Sequence, residues 1–405
     1  MSLKKHLPHW LINYGKHLPA AILANLKYGW PGKKLKVIGV TGTDGKTTTV
    51  NMIYQILKDA EKSVSMVSTI NADVAGKKYD TGFHVTSPHP KVIQKFLSDS
   101  VKHGDEYFVL EVTSHALDQF RVWGIPFEVG VITNITHEHL DYHGTFKKYL
   151  EAKAKLLRNC NTAVLNRDDE NYEYLRKQSK SNVITFGLSR EADYNQFDYD
   201  YQLKIPGVYN LKNALAATAV TNQLGINEKD IKKSLESFIG LSGRMEQIEN
   251  DKGLNIVVDF AHTPSALENV LETLKKSTGE RLISVFGCAS ERDTAKRPIM
   301  GKVSVKIADI TVLTSEDPRM EDPNQIIDQI AQGSLTHGAK LNHTLFKESD
   351  RQSAINLAVS MAKPGDTIGI FGKGHEQTMN IKGYEVPWSD QTAVQKALNK
   401  ARSKQ

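Results

Sequence analysis

Cysteine is nearly absent: the 405-residue chain has two, Cys160 and Cys288, in no metal-binding spacing. That excludes a disulfide scaffold and a thiolate metal centre, and it points to a reducing compartment, the cytoplasm. No apolar run approaches the length that spans a bilayer, so no transmembrane segment is expected. A charged n-region, apolar core and small-residue cleavage site do not occur in series, which argues against secretion. Charge of one sign is also scarce, because 52 basic and 46 acidic residues leave a net +6, with the basic residues spread along the chain. Such a mild excess suits anionic small molecules and gives little support for nucleic acid. Apolar and charged fractions of 40% and 24% are ordinary for a globular protein and exclude disorder. The length allows two or three domains, each with its own core, and there is no internal repeat or low-complexity segment.

What is present begins at residues 37–50, VIGVTGTDGKTTTV. An apolar β-branched run turns through glycines into a helix start, whose free N–H groups favour an anion. Gly42 and Gly45 let the backbone approach phosphates, Lys46 adds a point charge, and the Thr47 hydroxyl can reach Mg²⁺. Thr43 and Thr48 complete the run. The spacing departs from G-x-x-x-x-G-K-[ST], because Val40 stands five before Gly45. Ahead of this loop, residues 10–14 and 20–26 read as short helices with lysines at their edges, broken by Pro19 and ended near residues 29–32. This N-terminal arm, residues 1–35, either packs on the main body or, as a basic amphipathic element, touches an anionic membrane surface.

Strands and helices then alternate, which predicts an α/β fold with a mostly parallel sheet. Strands are expected at 108–112, 130–134 and 162–165, and helices at 51–58, 146–157 and 211–224, the last alanine-rich and tightly packed. A second series follows, with strands at 255–260, 282–287, 310–314 and 367–372 and a helix at 265–275. Two α/β domains, 36–240 and 241–405, therefore meet near residues 239–244. Chemistry gathers at the carboxyl ends of the strands, where open α/β sheets place ligands. Glu111 ends one strand and can hold Mg²⁺ beside Thr47, a hard cation that takes oxygen ligands; a surface salt bridge is the plain alternative. Residues 133–144, TNITHEHLDYHG, carry three histidines and two acids after another strand. The density suggests a metal site, and magnesium is preferred to zinc because no third soft ligand is evident.

Together these residues resemble the Mur ligases, ATP-dependent amide-bond enzymes of cell-wall precursor synthesis. The likeness runs from Val37 to about Thr392 through TGTDGKTTT, TSP, EVTSHALDQFRV, NITHEHLDYHG, YLEAKAKLL, GVYNLKNALAA, SGRME, VVDFAHTP, FGCASERDTAKRPIMG, TSEDPRMEDP and FGKGHE. It is nearest to the branch that adds a diamino acid to UDP-N-acetylmuramoyl-L-alanyl-D-glutamate. The resemblance implies a central P-loop-type ATPase domain and a C-terminal Rossmann-like domain that binds the amino acid. It implies ATP on Gly42, Thr43, Gly45, Lys46, Thr47 and Thr48, with Asn210 and Asn213 toward the adenine, Arg244 toward the phosphates and Asp259 toward the ribose. Thr47 and Glu111 would hold one Mg²⁺ and His139 a second. Lys153 falls where family members carry a carbamylated lysine, which turns a cation into an anionic oxygen ligand. Lys46, Glu111, His139 and Lys153 would form the catalytic set.

Thr86, Ser87, Thr113, Gln119 and Arg121 fall where the family grips the nucleotide-sugar dipeptide, and Arg292, Asp317, Arg319, Gly372 and Glu376 where it holds the diamino acid. Arginines suit carboxylates through bidentate bonds, and a glutamate suits an ammonium. In the family an arginine at the Arg319 position accompanies meso-diaminopimelate, which is favoured over L-lysine. Because the amine is held by the second domain, closure about residues 239–244 is an expected step. Four departures stand out. Asp44 and Asp317 replace usual asparagines, and an ionised Asp317 accepts but cannot donate. Glu316 opens a tetrad that usually begins with aspartate. A short arm precedes Lys36 where the family carries a uridine-nucleotide domain, and the arm is too small to form one. The arm could replace that function, a partner chain could supply it, or the acceptor could be free of UDP. Folate polyglutamylation and a nucleotide-binding regulator without ligase activity are the remaining alternatives.

Overall fold

The computed structural model describes residues 8–80, 87–290 and 293–402. The chain divides into two compact units, Met1–Lys204 with Tyr209–Phe238, and Ile205–Val208 with Ile239–Gln405. The short stretch Ile205–Val208 thus groups with the second unit although the first unit resumes after it.

Among the described residues, the first unit has a nine-stranded sheet. Its strands lie in the order Lys77–Asp80, Asn71–Val74, Val64–Val67, Tyr107–Glu111, Lys36–Thr41, Phe127–Ile132, Cys160–Asn166, Asn182–Gly187 and Tyr194–Asn195. The first two pairings along this order are antiparallel and the remaining six are parallel. Central strands read as continuous apolar runs because both faces are covered. Val37, Phe108, Leu110 and Phe127 pack with Ile93 and Leu97, while Ile132 and Leu165 pack with Tyr149, Leu150 and Leu175. The alanine-rich helix Val208–Gln223 is buried along most of its length, as its small side chains allow.

The N-terminal arm is helical from His9 to Tyr28: an α turn His9–Ile12, a π turn Asn13–His17, and the helix Leu18–Tyr28. Pro19 does not break it, contrary to the sequence expectation. The π turn resets the hydrogen-bond register just ahead of it, so Pro19 occupies the first turn of the following helix, where a missing N–H costs little. Gly29, in the left-handed region at φ 68°, ends the helix. The arm packs on its own unit through buried Ala21, Ala24 and Asn25, and Asn25 donates to the Trp123 carbonyl at 2.9 Å.

Among the described residues of the second unit, a six-stranded sheet has the order Glu246–Ile248, Asn255–Asp259, Thr367–Phe371, Leu282–Phe286, Ile310–Leu313 and Leu345–Lys347. All but the first pairing are parallel. Ile256, Val258, Ile283, Val285, Ile368 and Ile370 pack against Ile355, Ala358 and Val394 from the helices Arg351–Met361 and Asp390–Arg402. The buried Arg351 guanidinium ties those helices to the sheet, donating to Asp390 at 2.8 and 2.7 Å and to the Phe371 carbonyl at 2.9 Å. A bidentate pair with its remaining donors satisfied is the arrangement in which a buried charge is tolerated.

Candidate functional site

The strand Lys36–Thr41 runs through Gly42–Gly45 into the helix Lys46–Asp59. A Cβ on Gly42 would lie 1.8 Å from Thr133 Oγ1, and one on Gly45, where φ is 81°, would lie 2.3 Å from Asn213 Oδ1. Both positions therefore require glycine. The end of the neighbouring strand clamps the loop: the Thr133 hydroxyl and the Asn134 amide donate to the Asp44 carbonyl at 2.6 and 3.0 Å, and the Asp44 N–H donates to Asn134 Oδ1 at 3.0 Å. No side chain caps the helix that follows, so its first-turn N–H groups face the loop, as an anion cradle needs. Lys46 folds over the loop and donates to the Thr43 carbonyl at 2.7 Å, and Thr48 is buried in the first turn.

Thr47 and Glu111 meet. The hydroxyl donates to Glu111 Oε2 at 3.0 Å, and Thr69 donates to the same carboxylate through its N–H and its hydroxyl, each at 2.8 Å. Lys153, from the helix Phe146–Ala154, is fully enclosed and donates to the Gly42 carbonyl. Burial, and then the Lys46 charge, hold its amine well below the usual lysine range. Tyr149, one turn earlier on that helix, joins the parts. Its hydroxyl lies 3.0 Å from Thr43 Oγ1, the Lys153 amine sits 4.8 Å from its ring centre, and the His139 ring lies 6.2 Å away. His139 starts a short helix in the left-handed region at φ 57° and packs edge-on to His115. Among the described residues no three His, Cys, Asp or Glu side chains gather as a metal-binding group. The oxygen pair Thr47 and Glu111 fits magnesium, which keeps several waters and takes phosphate oxygens for the rest of its shell.

Four residues expected at the acceptor form one network. Ser87 donates to the Glu111 carbonyl at 3.3 Å and accepts from the Thr113 N–H at 3.1 Å. Arg121 donates to the Ser87 carbonyl and, at 3.0 and 2.7 Å, to Gln119 Oε1. Burial lowers the Arg121 pKa from its ordinary value. The Gln119 amide donates to Tyr142 at 3.2 Å, whose hydroxyl donates to Asp118 at 3.1 Å. Asn13 of the arm donates to that same Asp118 at 2.9 Å. Asn213 lies against the phosphate loop, accepting from Thr49 at 3.4 Å and donating to the buried Asn210 at 3.4 Å. Thr86 and Arg292 lie outside the described residues.

In the second unit, Asp317 and Glu376 are bridged by one buried cation. Lys373 donates to Asp317 Oδ1 at 2.8 Å and pairs with Glu376. Burial disfavours its charge, but the two carboxylates outweigh burial and raise its pKa. Asp317 and Arg319 both take left-handed backbone, at φ 40° and 47°, a strain that marks many ligand sites. The hairpin of Thr378–Ile381 and Tyr384–Pro387 holds them there: Arg319 donates to the Asn380 carbonyl at 3.0 Å, and the Lys382 N–H donates to the Arg319 carbonyl at 2.8 Å. Gly372 is forced, since its Cβ would lie 2.2 Å from Glu316 Oε2. Burial pushes the Glu316 carboxyl up to about 8. Asp259 accepts from the Met245 and Ala261 N–H groups at 2.7 and 2.8 Å, and Arg244 rests over the Phe260 ring at 4.6 Å. Sequence reasoning missed Thr69, Tyr149 and Lys373. Tyr149 was legible as the residue four before Lys153 on one helix face and Lys373 as the neighbour of Gly372, whereas Thr69 carried no signal.

A glycine turn opening an uncapped helix on a parallel sheet, with a second α/β unit rich in paired charges, defines a two-unit α/β protein of the nucleotide-binding class. Comparison with known proteins makes it specific. The Mur ligase middle domain matches residues 40–221, and the Mur ligase glutamate ligase domain matches residues 243–374. The chain is 39% identical over 382 residues to UDP-N-acetylmuramoyl-L-alanyl-D-glutamate–2,6-diaminopimelate ligase 1 of Clostridium acetobutylicum, covering 89% of this chain and 77% of that protein. The ligase of the same description from a Nostoc strain is 38% identical, over 93% of this chain and 80% of its own length. A solved structure of a UDP-N-acetylmuramoyl-L-alanyl-D-glutamate–2,6-diaminopimelate ligase superposes with a TM-score of 0.61 at 31% identity, covering 91% of this chain and 79% of that one. The chain belongs to the Mur ligase family, whose members are ATP-dependent, ADP-forming ligases.

Proposed function

We propose that this ligase adds meso-diaminopimelate to UDP-N-acetylmuramoyl-L-alanyl-D-glutamate or a related acceptor, in peptidoglycan precursor synthesis in the cytoplasm. The observation that carries the ligase chemistry is the Thr47–Glu111 contact at 3.0 Å beneath the glycine-gated loop, with Lys153 buried against that loop. A carboxylate is a poor electrophile, so its oxygen first attacks the γ-phosphorus of ATP, giving an acyl phosphate and ADP, and an amine then displaces phosphate to form the amide. Bringing a carboxylate to a triphosphate joins like charges, a repulsion of roughly 4 kcal/mol for a unit pair at 4 Å in an effective dielectric near 20. Magnesium, when bound, would supply positive charge between those oxygens.

The chain's own residues supply the rest. Lys46 and the first-turn N–H groups bind phosphate oxygens, and Thr47 and Glu111 would hold the metal. Lys153, whose neutral amine is favoured by burial, is suited to take up CO₂ and present an anionic oxygen as a carbamate. His139 is assigned to a second magnesium, Asn210 and Asn213 to the nucleotide, and Arg244 and Asp259 to phosphate and ribose, on the strength of the motif matches. Ser87, Thr113, Gln119 and Arg121 orient the acceptor through a network that is already assembled.

Diaminopimelate is favoured by Arg319, whose fork suits a distal carboxylate, and by the names of the relatives. The direct test incubates purified protein with ATP, Mg²⁺, the UDP-linked acceptor and either diaminopimelate or L-lysine, following phosphate release and product mass. Substrate-dependent phosphate with a product one diaminopimelyl residue heavier supports the reading. Phosphate release with a lysyl product, or with acceptors that lack UDP alone, would replace the substrate assignment.

A further inference from the structure

The even spread of basic residues along the chain hides one asymmetry. Residues 1–35 contain six lysines and none of the chain's 46 acidic residues, so the remainder carries no net charge and these six account for the formal +6. They include no arginine. The described part of this arm turns Asn13, Ala21, Ala24 and Asn25 into its own unit and leaves Trp10, Leu11, Tyr14, Leu23 and Leu26 exposed, Trp10 at 62% and Leu23 at 66%. Lys16 and Lys27 are exposed among them. Large apolar side chains clustered on an all-cationic helix are an unsatisfied surface on a water-facing protein.

We propose that this face docks on an anionic lipid bilayer, with the arm lying in the interfacial plane. Trp and Tyr with a polar tip settle at the headgroup level, leucines enter the acyl boundary, and lysine ammonium groups meet anionic headgroups. Charge complementarity selects the bilayer over a neutral protein surface. The aliphatic character of Leu11, Leu23 and Leu26 disfavours nucleic acid, whose phosphates and base faces call for charge and aromatic stacking and leave leucines unburied. The docking is peripheral: among the described residues no helix is long and apolar enough to cross a membrane. It does not depend on which acceptor the ligase uses.

Flotation of the full chain with phosphatidylglycerol-containing and pure phosphatidylcholine vesicles tests the inference. Binding to the anionic vesicles is expected, weakened by salt and lost in the triple variant Trp10→Ser/Leu23→Ser/Leu26→Ser. Lys16→Gln/Lys27→Gln should weaken binding about tenfold or more, given roughly one kcal/mol per lysine at the surface. Circular dichroism and lipid-free ligase activity of both variants should match the parent, because the altered side chains are exposed and outside the catalytic machinery. Equal flotation of parent and triple variant would overturn the proposal. So would failure to bind anionic vesicles with a concentration-dependent dimer that the triple variant abolishes, which would assign the face to a second copy, or preferential retention on an oligonucleotide.

Discussion

Lys153 Nζ donates to the backbone carbonyl of Gly42, joining a helix residue to the phosphate loop across 111 positions of sequence. An enclosed ammonium would be costly there, and burial together with Lys46 favours the neutral amine. A neutral amine is the form that reacts with CO₂. Nuclear magnetic resonance with ¹³C-bicarbonate should show a carbamate signal in the parent that Lys153→Ala lacks. That variant should lose activity by about a hundredfold or more, as expected for a group that orders charge at a phosphoryl centre. A parent enzyme fully active after exhaustive CO₂ removal would refute the carbamate.

Thr47 and Glu111 share a hydrogen bond that magnesium would replace with two coordinate bonds. Thr47→Val should cost stability about 1 kcal/mol for the lost bond while reducing turnover far more and raising the magnesium concentration needed for half-maximal rate. Thr47→Ser, which keeps the hydroxyl, should restore most of the rate. Metal titrations of the three proteins decide the point, and an unchanged magnesium requirement in Thr47→Val would remove Thr47 from the metal site.

Gly45 has no room for a side chain. In Gly45→Ala the new Cβ would meet Asn213 Oδ1 at 2.3 Å in a left-handed backbone. Nucleotide affinity measured by calorimetry should fall, and the melting temperature should drop by the equivalent of about 1 kcal/mol or more. The pair Gly45→Ala/Asn213→Gly should regain part of the stability, since only the clash is relieved.

Lys373 lies between Asp317 and Glu376 and pairs with both. Lys373→Met leaves two carboxylates facing each other in a half-buried site, and breaking such a pair costs about 3–5 kcal/mol. The KM for the diamino acid should rise while the KM for ATP stays near the parent value, measured at a temperature where the variant remains folded. Equal effects on both constants would mean a general loss of structure.

Glu316 gives a pH signature. Its carboxyl ionises near 4.5 when unfolded and is pushed up to about 8 in the fold by burial. Below 4.5 both states are protonated, whereas between these values the unfolded chain sheds its proton first, so stability falls as pH rises and the loss is complete above about 8. Glu316→Gln removes this slope. Its melting temperature relative to the parent should climb across that interval, corresponding to a few kcal/mol at most, in the sense of roughly 1.4 kcal/mol per pKa unit. A constant difference at all pH values would show that the carboxyl is not held neutral.

The glycine turn from strand Lys36–Thr41 into helix Lys46–Asp59 was legible because its demands are local. Gly42 and Gly45 act within a few residues, and strand-to-helix order is written in hydrophobic period and glycine placement. Strands such as Asn255–Asp259 and Thr367–Phe371 were likewise readable as apolar β-branched runs. The antiparallel edge formed by Asn71–Val74 and Lys77–Asp80 was not, because Asn71–Val74 alternates over only four residues and Lys77–Asp80 is almost wholly polar, too little for a strand to stand out from a turn. Pro19 misled for a related reason: a proline reads as a breaker unless the π turn before it is known.

By itself, then, the order of residues determined that this chain turns through glycines from a parallel strand into an uncapped helix and carries acids and lysines at the strand ends. Only the tertiary structure decided which of them meet. It set Thr69 on Glu111, Tyr149 between Thr43 and Lys153, and Lys373 between Asp317 and Glu376. The physical reason is that a side chain's chemistry is local, whereas its pKa, partners and accessible volume depend on groups brought in from distant sequence. A lysine is a cation on the page, and the enclosure of Lys153 is what favours its neutral form.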